Sequence, residues 1–258
     1  MNEKIKIRNT LLLNELDKID KVFLNEGIRC FVIKGASLIL KDIFGIDERE
    51  MSDVDLFVER NDFKKVEVLL YRVGFKKIER GYNSFYKEVG QMFAPVVFDL
   101  HYDFLGIRYL DVDKVDVGYK AIKAASLVDD FIIISSHSIV RHGFIDKRIL
   151  DDITRVYKKG SAVYEDFSSK VVLKSKRLKL GYITWLCFKK IGIDLELPNI
   201  SIREFFSIPF VRIAFYKYIR LNEYILPIFY DKELLKDEFR KWSRFWRIKA
   251  NKTNKVGS

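Results

Sequence analysis

Cysteine is almost missing from this chain: two residues among 258, Cys30 and Cys187, far apart and each in apolar surroundings. Two such thiols make neither a disulfide framework nor a zinc site. They read as small buried hydrophobes in a reducing compartment. Also missing is any apolar run near the ~18 residues that a bilayer crossing needs; the best, "FIIIS" and "YILPIFY", are core-sized. The stretch "MNEKIKIRNTLLLNELDKI" breaks its apolar residues with charge and offers no small-residue cleavage site, so no secretory leader is expected. Neither a repeat nor a low-complexity segment occurs. A secreted disulfide scaffold, a membrane protein and a repeat array are therefore set aside, and the cytoplasm is the expected compartment.

What the chain has is a core. Hydrophobic residues make up 48% and aromatics 14%, which argues against disorder. The length suits one large domain or two modest ones. The net charge of +11 is unevenly placed: residues 1–110 hold 18 basic and 18 acidic side chains of the totals 47 and 36, leaving 29 against 18 for residues 111–258. One half is neutral and the other basic, which suggests two domains with different tasks.

Local patterns give the neutral half its elements. Leu11, Leu12, Leu16, Ile19 and Phe23 recur at helical spacing over residues 8–26 and stop at Gly27. "IRCFVIKG" reads as a strand broken at Gly35, "ASLILKDIF" as a short helix ending at Gly45, and "VDLFV" as a second strand. A helix over "NDFKKVEVLLYRVGF", closing on Gly74, is followed by strands around "KKIER", "SFYKEV" and "APVVFDLHYDF". The predicted order is α-β-α-β-α-β-β-β, a mixed sheet with helices on it. From about residue 115 the apolar periodicity turns helical with few turn signals. The expected fold class is thus α+β, a mixed-sheet core with flanking helices over residues 1–115, then an all-helical, basic domain over 116–258.

The chemistry is concentrated in "EREMSDVDLFVERNDF", residues 48–63. Residues two apart in a strand face the same way, roughly 6–7 Å apart, so Asp53 and Asp55 set two carboxylates side by side at a strand mouth. Like charges that close do not both ionise cheaply without a cation. "VVFDLHY" offers a third carboxylate, Asp99, inside another strand. Three strand-borne aspartates would bind two Mg²⁺ (or Mn²⁺) ions roughly 4 Å apart, the arrangement that runs in-line nucleotidyl displacement. Upstream, "FVIKGASL" is a strand, then Lys34-Gly35, then a helix whose start offers free N–H groups to a phosphate. Lys34 and Arg49 would add positive charge for a triphosphate. Two plainer readings stand beside these: Lys34 could rest its amine in water at the strand end, and Arg49 could neutralise Asp53.

The residues "IKGASLIL…REMSDVDLFV…FDLH" resemble the DNA polymerase β-type nucleotidyltransferase superfamily. They are most similar to its bacterial and archaeal group of nucleotidyltransferase-like proteins with a Lys-Gly loop and an Arg-x-x-x-Asp-h-Asp strand. The resemblance covers roughly residues 10–155, including "HSIVRHGFIDKRILDDITRV". It implies a mixed-sheet catalytic core, Mg²⁺, and transfer of a nucleoside monophosphate from an NTP to a hydroxyl. Position by position it implies Asp53, Asp55 and Asp99 as metal ligands and Gly35, Ala36 and Ser37 as the phosphate loop. The chain departs from the pattern at Ala36, where relatives usually place serine or glycine, leaving Ser37 as the substitute hydroxyl.

Weaker candidates lie on the acceptor side. His101 falls two after Asp99, on the same strand face. His137 and His142 are five apart, a poor spacing for two metal ligands on one helix. His137 or Asp152 projecting into the cleft would bind the acceptor or act as a base. No arginine stands where the helical ribonuclease relatives need one before their histidine, so a self-contained ribonuclease toxin is not expected. Three acceptor classes remain open: a small-molecule hydroxyl, a protein side chain, or an RNA 3′ end as in toxin-like relatives that modify tRNA. A retired, nucleotide- or RNA-binding core is the non-enzymatic alternative. The basic run at 170–180 and the tail "KWSRFWR" would suit RNA, or would form a solvated face.

Overall fold

The computed structural model describes residues 2–79, 83–90, 94–112, 117–139, 145–178 and 180–195. The elements run α1 (Glu3–Asn25), β1 (Cys30–Ile33), α2 (Lys34–Leu40), β2 (Val54–Val58), α3 (Phe63–Arg72), β3 (Lys76–Lys77), β4 (Ser84–Lys87) and β5 (Val96–His101). This is the order that the sequence patterns give. After it come β6 (Ile122–Ala124), α4 (Leu127–His137), α5 (Lys147–Val163), α6 (Phe167–Arg177) and α7 (Gly181–Lys190). The fold is therefore mixed α+β among the described residues. The tail beyond 195, the turn at 81–82 and His142 lie outside them.

One mixed sheet has the order β3-β4-β5-β2-β1-β6. β1 is antiparallel to β2 and parallel to β6, β2 is parallel to β5, and β4 is antiparallel to both β5 and β3. The edge strand β6 lies past residue 115, inside the stretch expected to be purely helical. Three residues, Ile-Lys-Ala, are too few to show alternation, so nothing local announces the strand. A long-range contact holds it: the buried Asp20 of α1 accepts hydrogen bonds from the Ala121 and Ile122 backbone N–H groups at 2.8 and 2.7 Å.

Burial follows the periods. On α1 the apolar stripe Leu12, Leu16, Ile19 and Phe23 is wholly covered. β5 alternates, with Val96, Phe98 and Leu100 buried and Val97, Asp99 and His101 half-buried. One face of the sheet thus goes to the core, and the other presents polar groups at the ends of β2 and β5. In the second half α4 is buried along almost its whole length, Leu127 to Ser136, packed among α2, α5, α6 and α7. A helix covered all round belongs in a core rather than on a surface. No helix among the described residues is long and apolar enough to cross a membrane.

Candidate active site

The sheet register brings the aspartates together. Asp55 on β2 is paired with Asp99 on β5, and Phe57 with His101, so Asp55, Asp99 and His101 project from one face. Asp53 sits one residue before β2, half-buried, and its Oδ1 accepts from Ser52 Oγ at 2.9 Å. Burial pushes the Asp53 carboxyl up from its ordinary value, and the charges of Asp55 and Asp99 add to the push. The two neighbours thus stand close enough to repel it. Asp55 behaves oppositely. Burial alone would raise it, but the Lys34 charge and the His101 contact outweigh burial and hold it well below the usual carboxylate range.

Lys34 opens α2 directly from β1, whose last residue Ile33 is paired with Asp55. Its backbone takes the left-handed conformation, φ +55°, uncommon outside glycine. From there Nζ donates to Asp55 Oδ1 at 2.7 Å, the oxygen that also lies 2.9 Å from His101 Nε2. The same ammonium lies 5.2 Å over the Phe104 ring. Phe104 in turn is 5.4 Å from the His101 ring and 5.6 Å from that of His137. His101 and His137 therefore flank one aromatic ring, Phe104, beside the aspartates.

The other expected phosphate contacts are arranged differently. No separate glycine loop precedes α2, because the helix starts at Lys34 itself. Ala36 is buried in the core, and Ser37, fully buried, donates from Oγ to Asp130 Oδ2 at 2.7 Å. Its hydroxyl faces α4, where Asp130 stands, rather than the strand mouth. Gly35 remains at the mouth, for a reason of close approach: a Cβ there would collide with Arg49 Nη1 and lie 3.2 Å from Met51 Cγ. Arg49 does not neutralise Asp53. Its Nε and Nη2 donate to Asp152 Oδ1 and Oδ2, both at 2.9 Å, a two-bond fork across 103 positions. Asp152, expected on the acceptor side, is thereby the partner of Arg49.

Two residues of α1 that local patterns leave unremarked hold this edge. Asn9, fully buried, donates from Nδ2 to Ile46 O and Arg49 O at 2.7 and 2.8 Å and accepts from Met51 N at 3.1 Å. Arg8 donates to Ser52 O and Ala94 O at 2.6 and 2.8 Å. Its charge lies near enough to Asp53 to feel it. The usable signal for Asn9 was its place on the apolar stripe, three residues before Leu12. A polar residue on a buried stripe needs partners.

As a donor set, three carboxylates suit a hard divalent cation in kind. Burial is the main cause of the rise of Asp53, and the charges of Asp55 and Asp99 add a repulsion that such a cation would relieve. In the arrangement seen, Lys34 and His101 share Asp55 Oδ1, and no group of three or more His, Cys, Asp or Glu among the described residues has metal-holding geometry. The Lys34 ammonium is the cation on Asp55.

The comparisons with known proteins add one result. A family model described as an uncharacterised nucleotidyltransferase matches residues 1–191. No curated protein and no solved structure matches the chain.

Proposed function

The chain belongs to that family of uncharacterised nucleotidyltransferases, and from this membership we propose that it transfers a nucleoside monophosphate from an NTP to a hydroxyl acceptor at the Asp53, Asp55 and Asp99 end of the sheet. The observation that carries the reading is the parallel pairing of Asp55 with Asp99, with Asp53 beside them, raised by burial and then by the charges of both. Asp53, Asp55 and Asp99 are the residues that would hold Mg²⁺, or Mn²⁺, as two ions. Bound there, the metal supplies charge neutralisation for the triphosphate and a more acidic acceptor hydroxyl.

The chain's own groups divide the rest of the work. Lys34, at the head of α2, and Arg49, over Gly35, bind and orient the triphosphate. Asp99 takes the proton from the acceptor hydroxyl. The acceptor oxygen then bonds to the α-phosphorus, the bond from that phosphorus to the β-phosphate oxygen breaks, and pyrophosphate leaves. Phe104, between His101 and His137, forms the wall against which the acceptor rests. The excess of basic side chains in residues 111–258 favours an RNA acceptor, such as a tRNA 3′ end, over a small-molecule hydroxyl. The two buried free cysteines suit a reducing cytoplasm, where NTPs and RNA are found.

One observation favours a second reading, a retired core that binds nucleotide without turning it over: Lys34 already satisfies the Asp55 charge. Incubation with each α-labelled NTP, Mg²⁺ and either total tRNA or a metabolite extract separates the two. Label on RNA is the expected result, and it should vanish in Asp53→Asn with the circular-dichroism melt unchanged. Undiminished transfer by Asp53→Asn removes the assignment, and NTP binding with no labelled product in any mixture supports the retired core.

A further inference from the structure

The grip of α5 on the segment that leads into β2 is unused by the reading above. Arg148 donates to Glu50 O at 2.6 Å, Asp152 holds Arg49 by two bonds, and Arg155 meets Glu48 at 3.0 Å while lying 4.3 Å over the Phe44 ring. These are successive turns of one helix, at positions 148, 152 and 155, on one side of it. The outer two contacts are ordinary surface links, with Arg155 and Glu48 side chains 40% and 50% exposed. The middle one is different: Arg49 and Asp152 are 12% and 4% exposed.

We infer that Asp152 is a positioning residue for nucleotide binding, aiming the guanidinium of Arg49 at the triphosphate; the inference rests on the nucleotidyl-transfer reading and names the device that makes it work. A guanidinium carries five N–H donors, and Asp152 uses one on Nε and one on Nη2. The fork fixes the plane of the group, and Nη1 then lies over Gly35, next to Lys34 and the strand mouth. A bound phosphate takes the donors that Asp152 leaves. Gly35 is part of the same device, because any side chain there would drive Nη1 away while Asp152 holds the far edge. Met51 closes the other side, and Asn9 fixes the Arg49 carbonyl at 2.8 Å. The arginine is thus held at its backbone and at its tip. An arginine so held loses little freedom when phosphate arrives. Asp152 itself sits on the buried stripe of α5 with Ile153, Val156 and Gly160, so the helical half sets where the charge points.

The test uses the full chain and a non-hydrolysable NTP, with binding measured by calorimetry and folding by thermal melting. Asp152→Asn should weaken NTP binding about tenfold or more while leaving the affinity for the matching nucleoside alone unchanged. Arg49→Lys, which keeps the charge and loses the fork, should weaken it to a similar degree. The exchanged pair Arg49→Asp with Asp152→Arg should recover the melting temperature and not the NTP affinity, since the guanidinium now starts from α5 instead of the segment before β2. Recovery of both overturns the inference and leaves a structural clamp, as does an Asp152→Asn protein that folds and binds NTP like the parent. A parent chain that binds no NTP overturns the function reading and this inference with it, and that result is visible before any variant is made.

Discussion

The two ends of α2 carry the same pair of residue types in opposite surroundings. At its start, Lys34 meets Asp55 at 2.7 Å, with side chains 19% and 6% exposed. One residue past its end, Lys41 meets Asp130 at 2.5 Å, with side chains 4% and 0% exposed. Asp55 is held low, whereas burial pushes the Asp130 carboxyl up to about 6 in spite of Lys41 and Ser37. A partner alone does not decide protonation. Asp55 has a second charged-capable neighbour in His101 and a half-open edge. Asp130 is fully buried, has Asp129 beside it, and has an Oδ1 with no hydrogen-bond partner among the described residues. The open pair keeps its carboxylate ionised. The sealed pair joins α2 to α4.

The largest effect should follow from breaking the sealed pair. Lys41→Met leaves Asp130 buried without its counter-charge and should cost about 3–5 kcal/mol in urea unfolding, since an uncompensated buried charge is the expensive state. Adding Asp130→Leu should return much of that loss, because two apolar groups replace a pair whose burial already opposes ionisation. A single substitution costing under ~1 kcal/mol would mean that the pair does not hold α2 to α4.

Next in size is a pH effect with a definite sign. Asp130 is raised above its unfolded value near 4, so its contribution is fully present below that value and is lost as pH rises through about 6. On the order of 2–3 kcal/mol should disappear over that window, at about 1.4 kcal/mol per unit. Asp55 has the reverse sign: its carboxyl is depressed, so its contribution stands above pH ~4 and is lost as pH falls further. Denaturant midpoints measured from pH 4 to 6.5 should therefore slope downward in the parent chain through Asp130 and lose that component in Asp130→Asn.

The contrast between these pairs also marks what the sequence could and could not reveal. Asp53, Asp55, Lys34 and Gly35 were legible because they lie within or beside short strands, where period and spacing fix the facing direction. Asp99 was legible as a polar residue in an apolar strand, and register did the rest. Asp130 and Ser37 meet across 93 positions, and Arg49 and Asp152 across 103. Such pairs leave no trace in any local window. "LVDDFIIISS" reads as an apolar helix with an acidic first turn, and its burial on every side comes only from what packs around it. β6 escaped notice for the same reason: its register is set by β1 and Asp20, not by its own three residues.

The smallest expected difference concerns Lys34, and it separates charge from backbone. Lys34→Met removes the ammonium from Asp55, but His101 stays in contact and still offers the buried carboxylate a partner. The loss should be about 1 kcal/mol, closer to a surface pair than to the sealed one. Met also keeps a Cβ at a residue whose φ is +55°, a conformation that costs an L-residue roughly 1 kcal/mol and costs glycine nothing in sterics. Lys34→Gly loses the same ammonium and relieves that strain. It should therefore unfold at a higher urea concentration than Lys34→Met by an amount worth on the order of 1 kcal/mol, although glycine ordinarily destabilises a helix. The opposite ranking would show that the first residue of α2 is unstrained, and that ordinary helix propensity governs the head of the helix where the triphosphate is proposed to bind.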